Sequence, residues 1–149
     1  MKRLLLPFVL LGLVLACQAA EITLRPTPDA APAGLGEIAE DRACTRAYRH
    51  QDTWLIERRC ADPSPGIILV DAGGTRRFAS YDSAFTDWAW QEECNREEDC
   101  YYTLSLDRQG RITAFAYHFD INLSDGVVRV RVERDRLVVT DKRITDRPS

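Results

Sequence analysis

His118 and Asp120 stand two residues apart in a run, Phe115 to Leu123, whose apolar residues recur at every second position. In an extended strand that spacing sends both polar side chains to one face. An imidazole beside a carboxylate is the elementary unit of general-base chemistry, because the acid orients the ring and stabilises its charged form. No G-x-S-x-G elbow, P-loop or H-E-x-x-H accompanies the pair, and His50 is the only other histidine. The two residues therefore read as solvent-facing strand positions and the chain as non-enzymatic. A small envelope enzyme using His118 and Asp120 is the alternative.

Two metal chemistries are tested by spacing. The stretch from Asp120 through Asn122 and Ser124 to Gly126 echoes a calcium-binding loop. Its Gly comes one place late, however, and Arg131 stands where the loop needs a bidentate Glu. A hairpin turn at Ser124–Asp125–Gly126 accounts for the same residues. Zinc is disfavoured by the lack of any C-x-x-C pair and the scarcity of histidine. No metal and no cofactor are expected.

The most distinctive polar feature is the acidic run Glu92, Glu93, Glu97, Glu98 and Asp99, which lies between Cys94 and Cys100 and just before Cys94. Carboxylates at this density repel one another unless something cationic approaches. Trp88 and Trp90 precede the run, and Tyr101 and Tyr102 follow it. Large aromatics beside charge are typical of interface anchors. Glu92, Glu93, Glu97, Glu98, Asp99, Trp88 and Trp90 are thus the candidates for binding a protein partner with a basic surface. A solvated, solubilising loop is the competing reading.

The chain has five cysteines. Setting Cys17 aside leaves Cys44, Cys60, Cys94 and Cys100, an even set that suits two disulfides in an oxidising compartment. Of the three possible connectivities, Cys44–Cys60 with Cys94–Cys100 closes only local loops. The second of these would rigidify the acidic run and lower the ordering cost of binding.

Cys17 belongs to a different feature. Met1-Lys2-Arg3 is followed by an almost wholly apolar stretch, Leu4 to Ala16, and then by Cys17 and Gln18. Two cations before about a dozen apolar residues form the n-region and h-region of a secretory signal, too short to cross a bilayer. Val14-Leu15-Ala16-Cys17 resembles the lipobox of bacterial lipoproteins. The resemblance covers the signal alone. It implies that residues 1–16 are removed, that Cys17 carries the lipid, and that the protein sits in the cell envelope. Gln18, in place of an Asp, implies the outer membrane, with the protein facing the periplasm. Ordinary cleavage after Ala19 is the alternative.

With Lys2 and Arg3 removed, 23 acidic residues face 18 basic ones, a net charge of -5. That balance argues against nucleic acid, which calls for a basic patch.

The elements that position these residues follow from periodicity. Residues 17–34 carry Pro26, Pro28 and Pro32 without an apolar period and read as the lipidated Cys and a flexible tether. Gly36 to Tyr48 shows Ile38, Ala39, Ala43 and Ala47 at helical spacing, with Glu37, Glu40 and Asp41 in the first turn. From Thr53 the chain reads as successive strands. Gly73–Gly74 marks one hairpin, and Asp107 to Gly110 marks another. Phe85 to Glu93 leans to strand. Val128, Val130 and Val132 alternate with Arg129, Arg131 and Glu133. The expected fold class is α+β: a mainly antiparallel β meander with one N-terminal helix, stapled by disulfides. It forms one domain over residues 35–143, and residues 144–149 form a disordered tail. The expected function is that of a non-enzymatic periplasmic lipoprotein that binds and neutralises a protein partner. It would act as an inhibitor or toxin-immunity protein, for instance against a cell-wall hydrolase. An accessory lipoprotein of outer-membrane assembly is a further alternative.

Overall fold

Alternating apolar and polar side chains recur along the chain from Ile22 onward, and in the computed structural model that alternation resolves into strands wherever the chain is described. The structure describes residues 20–27, 35, 45–58, 66–81, 99–121, 124–146 and 148. Among these residues nine strands form: β1 (Ala20–Thr27), β2 (Thr45–His50), β3 (Thr53–Arg58), β4 (Gly66–Asp71), β5 (Gly74–Ala79), β6 (Cys100–Leu106), β7 (Ile112–Ile121), β8 (Ser124–Val132) and β9 (Leu137–Asp146). They make one antiparallel sheet in the order β5-β4-β3-β2-β1-β6-β7-β8-β9, curled into a half-barrel.

The first strand sits in the middle. Its Ala20–Leu24 segment pairs with β6, and its Arg25–Thr27 segment pairs with β2. It therefore joins two meanders, β2–β5 and β6–β9, that are otherwise built from sequential hairpins.

The inner face of the curl holds the core. Leu24, Tyr48, Leu55, Leu69, Tyr102, Leu104, Phe115, Tyr117, Val128 and Val130 are buried in one cluster. On the opposite face of β3 and β4, Trp54, Ile56 and Ile68 pack with Leu35. These two strands are covered on both sides, which is why they read as unbroken apolar runs.

A buried carboxylate ties the two meanders together. Asp71, at the end of β4, accepts hydrogen bonds from Arg76 Nη2 at 2.6 Å, from the Gly73 amide at 2.8 Å and from the Ile112 amide at 2.8 Å. Arg76 also donates to the Ile112 carbonyl at 2.9 Å. The β4–β5 hairpin is thus clasped to the start of β7, and the sheet curls to bring them together.

Several sequence expectations are corrected. The fold class is all-β rather than α+β, and no helix occurs among the described residues. The expected helix overlaps β2 at Thr45–Tyr48, while residues 36–44 lie outside the described residues. Tyr48 pairs with Leu55 and is fully buried, and Ala47 pairs with Ile56. Cross-strand burial overrides the helical spacing of the alanines. The β2–β3 hairpin turns through Gln51, a non-glycine residue at φ 51°, without the Asn-Gly or Asp-Gly cue that announces such turns.

The stretch expected as tether contributes β1 over Ala20–Thr27, because Ile22 and Leu24 turn inward between exposed Glu21, Thr23 and Arg25. The expected tail begins inside β9, which runs to Asp146 and pairs with Ser124 at its end. Ser124–Gly126 is not a turn but the start of β8. A Cβ on Gly126 would come within 2.6 Å of the Phe119 ring and would meet the Arg143 carbonyl. That glycine is needed for packing, not for bending. The Gly73–Gly74 and Asp107–Gly110 turns do form, with Gly74 at φ 109° and Gly110 at φ 75°.

Candidate functional site

The polar face of the sheet arranges its side chains in rungs, because antiparallel register places residues directly opposite one another on neighbouring strands. One rung gathers the charged and aromatic residues. Trp54 on β3 faces Arg49 on β2, Arg49 faces Arg25 on β1, Tyr101 on β6 faces His118 on β7, His118 faces Val127 on β8, and Val127 faces Arg143 on β9.

The contacts along this rung are close. The Arg49 guanidinium lies 4.8 Å from the centre of the Trp54 ring, and the Arg25 guanidinium lies 5.4 Å from that of Tyr101. Tyr101 and His118 stack at 4.7 Å with planes 7° apart. That separation matches the spacing between neighbouring strands, about 4.8 Å. Both rings therefore stand upright from the sheet, with their faces turned to each other and their edges outward. Arg25 and Arg49 are like charges on directly opposed positions, an arrangement that sheets ordinarily avoid.

His118 is held by this setting. Its Nε2 lies 3.0 Å from Thr103 Oγ1 on β6. Burial, then the Arg129 charge, push its pKa below the ordinary histidine value, and Glu21 partly offsets them. The charges that bias the ring are thus those of Arg129 and Glu21. Asp120, two residues along, faces Asp125 across the β7–β8 ladder and is exposed. The Asp120 amide donates to the Asp99 carbonyl at 2.8 Å, which extends the β6–β7 pairing. Asp99, just before β6, Asp120 on β7 and Asp125 on β8 consequently lie side by side next to the aromatic rung. A depression of about 430 Å³ spans the two rows, lined by Tyr101, His118, Asp120, Asp125, Arg143 and Thr145 among others. A second, of about 300 Å³, lies further along the same face between Glu21, Thr103, Ala116 and Arg129.

The inner face carries a separate polar network. Glu57 is 5% exposed and accepts a hydrogen bond from the Tyr102 hydroxyl at 2.5 Å. The Tyr81 and Tyr102 hydroxyls are 3.1 Å apart. Arg46 lies directly opposite Glu57. Burial lowers the pKa of Arg46, but Tyr48 and Glu57 more than reverse this and hold it above its usual value. Burial, reinforced by the Glu57 charge, raises Tyr48, Tyr102 and Tyr117 far above the ordinary phenol range. The Tyr48 hydroxyl makes no hydrogen bond of good geometry, although Arg46 and Tyr117 lie close enough to influence its ionisation. Glu57, Tyr48, Tyr102 and Tyr117 are buried in the core, while Arg46 and Tyr81 are half-buried.

Of the residues singled out from sequence, Asp99 closes onto β7 as described. Cys100, the first residue of β6, is fully buried. Cys17, Cys44, Cys60, Cys94, Trp88, Trp90, Glu92, Glu93, Glu97 and Glu98 lie outside the described residues. Phe85 to Glu93 lies outside them too. No group of three or more metal-ligating side chains occurs among the described residues, and no described helix is long and apolar enough to cross a membrane. Sequence reading passed over Arg25, Arg49 and Thr103. Each belongs to an alternating strand, but their convergence depends on the β2–β1–β6 order, which local periodicity does not encode. Comparison with protein-family models, with curated proteins and with solved structures returned no match to this chain.

Proposed function

We propose that the mature protein is a non-enzymatic binding protein of the bacterial envelope. It is lipid-anchored through Cys17 and holds and neutralises a protein partner in the periplasm, as an inhibitor or immunity protein does. The observation that carries this reading is the outer sheet face, where cations, upright rings and carboxylates stand in adjacent rows on a rigid ladder. Preorganised polar and aromatic groups of this kind lower the ordering cost of association and set its specificity. The lipobox-like Val14–Cys17 and the even set of four further cysteines support an exported, oxidised setting.

Two measurements test it. In cells expressing the full chain, Cys17→Ala should move the protein from the membrane to the soluble periplasmic fraction. Retention in the membrane fraction would remove the anchor from the proposal. The immobilised mature domain should also retain a specific envelope protein at low salt and release it as salt rises. Recovery of no protein at any ionic strength would refute the binding role.

A further inference from the structure

The antiparallel order sends alternate turns to opposite ends of the sheet. Ala20, which opens β1, faces Leu106 at the end of β6. The β6–β7 turn (residues 107–111) therefore lies at the end where β1 begins, and so, two ladders on, does the β8–β9 turn (residues 133–136). The β4–β5 turn is drawn to the same end by the bond from the Ile112 amide to Asp71. The β2–β3 turn, with Asp52, is set back, because β2 leaves β1 at Arg25.

This end has the makeup of a surface that meets lipid headgroups. Ile22, Leu106, Val132 and Leu137 pack against the core there and stay partly exposed. Arginines surround them. In the β6–β7 turn, Asp107 accepts the Gln109 and Arg111 amides, both at 2.9 Å. In the β8–β9 turn, Glu133 is held by Arg131 at 2.9 Å and by Arg136 at 2.8 Å. Arg108 and Arg134 are exposed and take no part in the ion pairs of these turns. Asp135 is the one fully exposed carboxylate of the two turns. The other acids are turned to the protein and the guanidiniums project, and a guanidinium binds phosphate through paired N–H donors.

The chain sets how far this end stands from the membrane. Three residue steps separate Cys17 from Ala20, at most about 11 Å when extended. A headgroup layer is itself roughly 6 Å deep. With lipid at Cys17 the arginine-bearing turns come within reach of the headgroups, whereas Ser124 and Asp146 lie at the far ends of β8 and β9, about 30 Å away.

We infer that the β6–β7 and β8–β9 turns, with their half-buried apolar rim, seat on the anionic phospholipid headgroups of the bilayer that holds Cys17. The sheet then stands upright on the membrane, with Ser124 and Asp146 farthest from it. This rests on the reading of Cys17 as the lipidated residue and adds a second contact, with the lipid surface itself.

The test uses the mature lipoprotein in nanodiscs of phosphatidylethanolamine and phosphatidylglycerol that carry a gadolinium-chelating lipid, which broadens the NMR signals of nearby amides. Residues 107–111 and 133–136 should broaden most, and Ser124 and Asp146 least. Arg108→Glu with Arg134→Glu should lower the fraction in contact, read from the broadening of the two turns, by at least about fivefold, the effect of one arginine at an anionic surface. Unaltered signal dispersion secures the fold of the variant. Equal broadening at both ends would overturn the inference. So would a contrast that survives the double reversal, since the tether alone would then hold the orientation. Mass spectrometry of the same sample separates the premise. An unmodified Cys17 removes the anchor, and this contact with it, whereas lipid on Cys17 with unbroadened turns removes the contact alone.

Discussion

The Tyr102 hydroxyl donates to a carboxylate that water scarcely reaches. Tyr102→Phe removes the donor and leaves Glu57 short of a partner in the core. A buried carboxylate that loses one of its hydrogen-bond donors is left less well compensated, so the variant should lose about 1–3 kcal/mol in urea unfolding. Tyr81→Phe removes a contact nearer the surface and should lose less. His118 makes a second prediction. Its folded pKa is depressed, chiefly by burial and then by Arg129. The unfolded chain therefore binds a proton at higher pH than the folded one. Its contribution to stability is present above about pH 6.5 and is lost as pH falls below that value. Stability measured from pH 7 to pH 5 should fall less steeply in His118→Gln than in wild type. A parallel slope in the two proteins would show that other groups govern this range. The sequence indicated that His118 and Asp120 would share a strand face, because period-two alternation alone decides that. Which strand lies alongside decides the rest, so Thr103 and Tyr101 as its neighbours were out of view.

Among the elements, the strands from Tyr101 onward were legible because clean alternation and Gly or Asp turns mark them. The β2–β3 hairpin was not. His50-Gln51-Asp52-Thr53 lacks the Asn-Gly or Asp-Gly pair of such turns, and the left-handed backbone of Gln51 is held by the buried Tyr48–Leu55 and Ala47–Ile56 pairs further down the ladder. Gly126 misled in the other direction, since a glycine that suggests a turn is in fact space for Phe119. Asp71 adds a second link between the meanders, clasping the β4–β5 hairpin to the start of β7. Asp71→Ala leaves Arg76 without its 2.6 Å ion pair and leaves the Gly73 and Ile112 amides without their acceptor. With the carboxylate buried and Arg76 about one-third exposed, the expected loss is about 3 kcal/mol, at the lower end for breaking a buried pair. Hydrogen exchange should rise first in β4 and β5. Uniform loss of protection across all nine strands would mean that the clasp does not act locally.

For the whole molecule, three of its five tyrosines are buried together around Glu57. Burial and the Glu57 charge keep Tyr48, Tyr102 and Tyr117 protonated far into the alkaline range, whereas the same phenols in the unfolded chain ionise near pH 10. The unfolded state thus releases protons that the fold retains, and stability falls as pH rises above about 10. An ultraviolet titration should show these three phenols ionising together, in step with the loss of near-ultraviolet circular dichroism. Gradual ionisation of all five with the fold intact would contradict their burial.

The place of β1 in the middle of the sheet has a mechanical consequence. Only Gln18 and Ala19 separate Cys17 from Ala20. With the lipid at Cys17, as proposed, tension between membrane and domain enters the protein along its central strand. Ladders to β6 and β2 run along that strand, so the load is shared as shear among several hydrogen bonds at once and does not peel an edge one bond at a time. The leash is too short to let the domain roam. On the proposed function, a captured partner would be held close against the bilayer, and its pull would be borne by the strand that joins the two meanders.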